Sequence, residues 1–189
     1  MRIVSVNVGR PRKVEFLGRP VRSAIWKSPV AGSVRVTRLN LEGDKQSDPR
    51  FHGGPEKAVY AYPSEHYAFW ARELPGVEFP WGAFGENLTT EGILDDGIRV
   101  GDRLEAGSAE FVVTEPRMPC YKLGVRFGRE DMVKRFFDHG ATGFYLAVLR
   151  EGKISAGDTI VWTARGDGGP TIAEIAAGKR ARRRARGGE

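Results

Sequence analysis

The single cysteine of the chain, Cys120, lies in a short segment that is rich in proline and positive charge. Arg117 and Lys122 flank it, and nearby positive charge favours the reactive thiolate form of a cysteine. Pro116 and Pro119 restrict the backbone on its N-terminal side. A thiolate held in this way can act as a nucleophile, as a redox thiol or as a soft metal ligand, whereas the alternative is a small buried apolar residue.

One cysteine excludes several kinds of chemistry. The chain cannot form an intramolecular disulfide, an all-cysteine iron–sulfur cluster or a CxxC redox pair. A papain-like Cys–His pair with His52, His66 or His139 is compatible with the composition, but no flanking signature supports it. We expect structural roles for His66 and His139, because both fall in predicted helices.

The segment His52-Gly53-Gly54 is a candidate anion site. Consecutive glycines let backbone N–H groups converge on an anion, and the imidazole or Lys45 would add positive charge. A tight turn between strands is the alternative, although it explains the glycines and not the histidine.

A third loop could contact a heterocycle. Glu86 and Asn87 follow Gly85, and their side chains could hydrogen-bond a ring edge or, alternatively, cap a turn. No Gly-x-Gly-x-x-Gly opens a helix after a strand, so the sequence has no flavin or nicotinamide fingerprint. Electrons for any redox reaction would therefore come from another protein.

Short strands joined by turns are predicted to position these loops. Gly and Pro form about a fifth of the chain, against a usual share of roughly 12%. Alternating or apolar runs predict strands at residues 3–8, 34–41, 58–62, 103–106, 110–114, 144–149 and 159–162. Capping and stop residues predict helices at 65–73, 129–139 and 171–185. The predicted fold is mostly β with a few short helices.

The C-terminal segment differs from the rest in composition. Residues 164–170 are rich in Gly and Pro and predict a linker that ends a domain of residues 1–163, leaving 164–189 as linker and tail. Six of the 30 basic residues lie at 179–186, so residues 1–178 are close to neutral although the whole chain carries +6. We expect a solvated tail that is not needed for folding, with weak polyanion binding as the alternative.

Targeting signals are not evident. No run approaches the roughly 18–20 apolar residues of a membrane span, and the first residues pass directly into strand-like alternation without a secretory segment. These observations predict a cytoplasmic protein without membrane contact.

Taken in order, the loop motifs resemble the MOSC domain, named for the C-terminal domain of molybdenum cofactor sulfurase, and within it the YiiM-like stand-alone type. The matching pieces are GDKQ at 43–46, HGGPEKAVYAYPSEHY at 52–67, GAFGENL at 82–88, EPRMPCYKL at 115–123 and GFYLAVL at 143–149. The resemblance covers roughly residues 1–163, and the ordered set is more specific than any one piece.

The resemblance implies a MOSC-type β-barrel that binds the molybdenum cofactor (molybdopterin) and not pyridoxal phosphate. It implies that Cys120 ligates molybdenum, with two further sulfurs from the pterin dithiolene. Similar members reduce small N-hydroxylated compounds, such as N-hydroxylated bases, with electrons from a separate flavoprotein. The residues expected to hold the cofactor are Lys45, His52, Gly53, Gly54, Asn87, Arg117 and Lys122. The alternative is a sulfur carrier that passes a Cys120 persulfide to a metal–sulfur acceptor.

Overall fold

The computed structural model describes residues 1–47 and 53–185, and these contain twelve β-strands and four α-helices. The strands are β1 (Arg2–Val8), β2 (Arg12–Phe16), β3 (Arg19–Ser23), β4 (Ser28–Pro29), β5 (Val34–Val36), β6 (Val59–Pro63), β7 (Leu88–Glu91), β8 (Arg103–Ala106), β9 (Ala109–Pro116), β10 (Phe144–Arg150), β11 (Gly152–Ile154) and β12 (Ile160–Ala164). The helices are α1 (Tyr67–Glu73), α2 (Lys122–Phe127), α3 (Met132–His139) and α4 (Ile172–Ala185). None of the helices in these residues is long and apolar enough to cross a membrane.

Eight strands form one curled sheet in the order β12-β8-β9-β10-β6-β7-β1-β4. Neighbouring strands are antiparallel except for the parallel pair β6 and β7. The sheet curls until Arg2 forms a single bridge to Thr159, and the Ile160 N–H donates to the Met1 carbonyl at 2.9 Å. The mostly-β prediction is confirmed, but the ladder between β1 and β12 stops at this bridge, so the barrel is not closed.

Strand β6 is buried on both faces, which explains its continuous apolar sequence. Val59 and Ala61 pack into the core enclosed by the curled sheet. Tyr60 and Tyr62 point the other way, into an aromatic cluster beneath the helices. The sheet therefore separates two hydrophobic cores.

Helices α1 and α3 cover the second core, as their apolar spacing predicts. Trp70 of α1 stacks on Phe136 of α3 with ring centroids 5.4 Å apart, and its indole N–H donates to the Tyr62 hydroxyl at 2.8 Å. Gly140 ends α3 in the left-handed region at φ 80°, as its position predicts. This layer buries the indole together with its hydrogen bond.

Helix α4 packs on the sheet domain. Ile172 is fully buried in the first core, and its N–H donates to the Ile98 carbonyl at 2.9 Å. Arg180 donates to the carbonyl of Phe137 at 3.0 Å, and Arg184 pairs with Asp138 at 2.7 Å. The domain boundary after residue 163 stays a prediction. Because α4 packs on the domain, we now expect it to contribute to stability, in contrast to the solvated tail that the sequence predicts.

Candidate active site

A cleft of about 560 Å³ opens where the loop after β9 meets the connection between β3 and β4. Among the described residues that line it, five are cationic and Asp44 is the one carboxylate. The excess of positive charge suits an anionic ligand. The lining residues are Ser23, Ala24, Ile25, Lys27, Asp44, Lys45, Gln46, Ser47, Lys57, Tyr60, Phe84, Gly85, Asn87, Arg117, Cys120, Lys122 and Tyr145.

Cys120 lies between β9 and α2 and reaches the cleft from the loop that joins them. The Arg117 N–H donates to the Gly143 carbonyl at 3.1 Å, which fixes the start of the loop to the start of β10. The Leu123 N–H donates to the Cys120 carbonyl at 3.0 Å, which begins the turn into α2. Cys120 is partly exposed, so a ligand in the cleft can reach its thiol.

Arg117 is a buried cation, with only 5% of its surface exposed. Its guanidinium carbon lies 5.4 Å from the centre of the Tyr60 ring and 5.6 Å from that of Phe136. Burial opposes its charge, but the nearby Tyr60 and Cys120 outweigh burial and raise the pKa of Arg117 above its usual value. Its buried Nη1 has no hydrogen-bond partner among the described residues, so it can donate a hydrogen bond to an anionic ligand in the cleft.

Two of the cleft lysines, Lys122 and Lys45, are among the predicted cofactor-binding residues. Lys122 is 8% exposed, and its ammonium donates to the Ser47 hydroxyl at 3.3 Å. Lys45 is exposed, and its backbone N–H donates to the Gly9 carbonyl at 2.9 Å. The structure thus brings three of the predicted cofactor-binding side chains, Lys45, Arg117 and Lys122, to the same cleft as Cys120.

Asn87 also lines the cleft, but protein groups engage its amide. Its Nδ2 donates to Asp44 Oδ2 at 2.9 Å, and its Oδ1 accepts the Tyr60 N–H at 3.2 Å. Asp44 Oδ1 in turn pairs with the Lys27 ammonium at 2.5 Å in a buried ion pair. Burial lowers the pKa of Lys27, and the Asp44 charge opposes that shift. These three side chains brace the floor of the cleft.

Glu86, the neighbour of Asn87, is fully buried and caps its own loop. It accepts the Gly82 and Phe84 N–H groups at 2.8 and 3.0 Å, and the Thr89 hydroxyl at 3.0 Å. The Tyr67 hydroxyl also donates to it. Burial nevertheless raises the pKa of Glu86. Of the two interpretations of this residue, the structure supports the turn cap.

The His52-Gly53-Gly54 segment is only partly described, because His52 lies outside the described residues. Gly53 and Gly54 are not among the residues that line the cleft. Gly54 adopts φ 89° at the start of a short 3₁₀ turn, Pro55–Lys57, and accepts the Lys57 N–H at 3.1 Å. In this position Gly54 serves the turn, and the turn carries Lys57 to the cleft wall.

Tyr145 and Lys57 are site residues that the sequence analysis missed. Tyr145 is half-buried beside Arg117 and Cys120, and removal of its phenol from solvent raises the pKa of the hydroxyl, which keeps it protonated. The Lys57 ammonium lies 3.2 Å from Glu115 and 5.8 Å from the centre of the Tyr145 ring. Both residues lie in apolar or turn segments that resemble scaffold, and only the pairing of β10 with β9 shows that Tyr145 faces the cysteine loop.

A second, outer cleft of about 1170 Å³ adjoins the first. Cys120, Lys57, Lys122 and Tyr145 line both clefts, together with Ser47. The outer cleft adds Arg22, Met118, Pro119, Tyr121 and the carboxylate of Glu115. Cys120 therefore stands at the boundary between an inner space and a wider space at the surface.

The two described histidines belong to the helical layer. His66 Nε2 lies 2.9 Å from Asp95 Oδ2, and His139 stacks on Phe69 with ring centroids 3.7 Å apart. Neither histidine lines the clefts around Cys120. Within the described residues no group of three or more His, Cys, Asp or Glu side chains is placed to hold a metal ion.

The sequence matches the MOSC domain family over residues 48–161. The chain is 40% identical over 170 residues to "Uncharacterized protein YflK" of Bacillus subtilis (strain 168), covering 90% of this chain and 76% of YflK. It is 43% identical over 141 residues to "Protein YiiM" of Escherichia coli (strain K12), covering 74% of this chain and 62% of that protein. A protein named "Reductase" from Gibberella moniliformis is 37% identical over 161 residues, which is 84% of this chain but 28% of that protein.

Solved structures agree with these relatives. The crystal structure of YiiM from Geobacillus stearothermophilus superposes with a TM-score of 0.79 at 39% identity, covering 96% of this chain and 85% of that one. YiiM from Escherichia coli gives a TM-score of 0.73 at 33% identity, covering 94% and 76% of the two chains. The extent of these matches and the order of the loop motifs show that the chain belongs to the MOSC domain family.

Proposed function

We propose that this chain is a molybdenum-cofactor-dependent reductase of small N-hydroxylated compounds. The observation that carries the proposal is that the Cys120 thiol shares a cleft with Arg117, a buried cation whose Nη1 has no partner among the described residues. A soft sulfur donor beside an unsatisfied guanidinium fits a ligand that carries both a metal and an anionic group.

The donor set of the cleft agrees with the molybdenum cofactor. Cys120 would hold the metal, while Arg117, Lys45 and Lys122 would hold the phosphate of the pterin. Since the described residues form no cluster of three metal ligands, the other metal ligands would have to come from the cofactor itself. A dithiolene supplies ligands of that kind.

The bound cofactor would supply the two-electron removal of oxygen from nitrogen. Overall, an N–OH group, two electrons and two protons give N–H and water. Tyr145 keeps its proton and can donate a hydrogen bond into either cleft, and Lys57 adds positive charge above the Tyr145 ring. These residues would bind and orient the substrate oxygen from the outer cleft while Cys120 stands at the boundary.

Two further features support the proposal. One relative, which aligns with 84% of this chain, is named "Reductase", although the chain spans only 28% of that protein. The sequence has no flavin or nicotinamide fingerprint, so the electrons would come from a separate flavoprotein. We also propose a cytoplasmic location, in keeping with such a donor.

The test is turnover of an N-hydroxylated base by protein produced in a host that makes the cofactor, with dithionite-reduced methyl viologen as electron donor. We expect the wild type to form the parent base and Cys120→Ser to lose activity. Glu105→Gln, a surface change on β8, is the matched control and should match the wild type. No turnover by cofactor-loaded wild type would contradict the proposal.

A sulfur carrier is the second candidate, favoured by the accessible thiol of Cys120 between Arg117 and Lys122. In this role the outer sulfur of a Cys120 persulfide would pass to an acceptor thiol, leaving the Cys120 thiol behind. Mass spectrometry separates the candidates. A gain of one sulfur atom on Cys120 that is removed by reductant and transferred to an acceptor favours the carrier.

A further inference from the structure

We propose that the hairpin formed by β2 and β3, called here the basic hairpin (residues 10–23), docks the acidic face of the flavoprotein that delivers electrons. The inference rests on the proposed function for the identity of the partner. The choice of this surface follows from the charge, the backbone conformation and the position of the hairpin.

The basic hairpin presents positive charge that the fold does not neutralise. Its five cations face a single carboxylate, Glu15, and none of the five forms an ion pair with a described residue. Two cations of α4 differ, because Lys179 pairs with Glu115 at 3.5 Å and Arg184 pairs with Asp138. The hairpin cations are Arg10, Arg12, Lys13, Arg19 and Arg22, all of them exposed.

The tip of the hairpin breaks a local rule. Leu17 and Gly18 form the two-residue turn with φ values of 51° and 71°. Positive φ at both positions is the requirement of a type I′ turn, which prefers Asn-Gly. Leu17 is the one non-glycine described residue with positive φ, and 63% of its surface is exposed. The leucine is thus strained and unpacked, so it serves something other than the fold of this chain.

The strands break a second rule. Lys13 of β2 lies directly opposite Arg22 of β3 in the antiparallel register. Like charges in directly opposite positions destabilise a strand pair. Two unfavourable choices in one short hairpin, both at its exposed surface, indicate selection for binding rather than for stability.

The hairpin stands next to the cysteine loop. Arg22 lines the outer cleft together with Cys120, and Ser23 lines the inner one. Phe16, at the end of β2, lies next to helix α2. Its Cζ atom would be only 3.6 Å from a Cβ atom placed on Gly124 of that helix. A partner bound to the hairpin would therefore sit beside the proposed metal ligand, where an electron donor has to be.

An exposed apolar tip on a hairpin that carries five cations favours a protein over a nucleic acid. Protein interfaces combine an apolar anchor with a charged rim. Charge dominates non-specific binding to a phosphate backbone, so the apolar side chain of Leu17 would add little to such a contact. The two partners thus make different predictions for a change at the tip.

The test uses two variants that repair the local defects. Leu17→Asn supplies a residue that tolerates the turn, and Lys13→Glu replaces the like-charge pair with an ion pair to Arg22. Arg182→Glu, which reverses an exposed charge on α4, is the control. We expect equal or higher melting temperatures in both hairpin variants, because each removes an unfavourable feature of the fold.

Binding is measured at low salt to a reduced acidic flavodoxin, an FMN protein, as the probe. We expect Leu17→Asn and Lys13→Glu each to weaken binding about fivefold to tenfold, and Arg182→Glu to stay within about twofold. Turnover driven by reduced methyl viologen should be unchanged in all three, since a small dye needs no docking surface.

The outcomes are distinct. If the wild type does not bind the flavodoxin, or binds it no better than the two hairpin variants, the docking inference is wrong. A nucleic-acid partner would give a different pattern. The wild type would then bind a short DNA duplex more tightly than it binds flavodoxin, and Lys13→Glu would abolish the DNA binding while Leu17→Asn would leave it intact. That pattern would overturn the docking inference. Absence of dye-driven turnover contradicts the proposed function alone, because the binding comparison does not depend on turnover.

Discussion

The change Asp44→Asn tests whether the floor of the cleft depends on a buried ion pair. The Lys27 and Asp44 side chains are 8% and 1% exposed, and their charged atoms lie 2.5 Å apart. Asp44 also accepts the Gly9 N–H at 2.8 Å and the Asn87 amide at 2.9 Å. An asparagine has nearly the same shape, so the change removes the charge and leaves the packing in place.

The expected cost follows from the partner that remains. Removing one side of a buried ion pair leaves an uncompensated charge and costs about 3–5 kcal/mol. An asparagine oriented to accept from Gly9 also turns an N–H group toward the Asn87 amide, which adds about 1 kcal/mol. We therefore expect the free energy of unfolding to fall by about 4–6 kcal/mol and the melting temperature by about 8–24 °C.

Urea unfolding followed by tryptophan fluorescence gives the free energies. The double variant Lys27→Met, Asp44→Asn removes both charges, and it should recover most of the loss because no buried charge stays unpaired. Glu105→Gln, which breaks an exposed pair with Arg150, should change stability by less than about 1 kcal/mol. A loss below about 1 kcal/mol in Asp44→Asn, or a double variant as unstable as the single one, would refute the reasoning.

Three further predictions concern the rest of the fold. Burial and the charge of His66 lower the pKa of His139 from 6.5 to about 4. As the pH falls, the unfolded chain therefore protonates this histidine before the folded chain does. The free energy of unfolding should fall by about 1–2 kcal/mol between pH 6.5 and 4 for this partly exposed ring, and this loss should be smaller in His139→Phe. Ile172→Ala should cost about 2–4 kcal/mol in urea unfolding, because the side chain is fully buried in the first core, and a cost near zero would show that α4 is dispensable. Tyr62→Phe should cost about 1–3 kcal/mol by leaving the buried Trp70 N–H without its acceptor, and thermal melting that matches the wild type would contradict this.

The sequence predicts those elements that bury one face or both. Strands β6 and β10 and helices α1 and α3 have apolar spacing because each packs against a core, and their predicted positions agree with the structure within a few residues. The sequence analysis does not predict the basic hairpin, since Val14, Phe16 and Val21 are too few apolar residues to establish an alternating pattern. Helix α2 was also missed, because it has only six residues and its apolar positions are too few to show a period.

The residues of the candidate site likewise divide into those that the sequence predicts and those that only the fold brings together. Arg117, Cys120 and Lys122 are near each other in the chain, so the sequence places them together without knowledge of the fold. Tyr145 and Lys57 come from a strand and a turn that reach the cleft only through the pairing of β10 with β9 and β6. Local sequence does not encode that juxtaposition.

The fate of the C-terminal segment shows a different limit. Glycines and prolines at 164–170 indicate a break in secondary structure, and the helix after them is confirmed. Whether a helix after such a break docks depends on one or two apolar side chains, here Ile172 and Ala176, which are buried against the domain. A basic composition hides so short an apolar face.

The metal content of purified protein tests the central claim most directly. Wild type and Cys120→Ala, both produced in a host that makes the molybdenum cofactor, are compared by elemental analysis after gel filtration. We expect close to one molybdenum per chain in the wild type and a large loss in Cys120→Ala. No molybdenum in the wild type, or the same molybdenum content in both proteins, would contradict the assignment of Cys120 as the metal ligand.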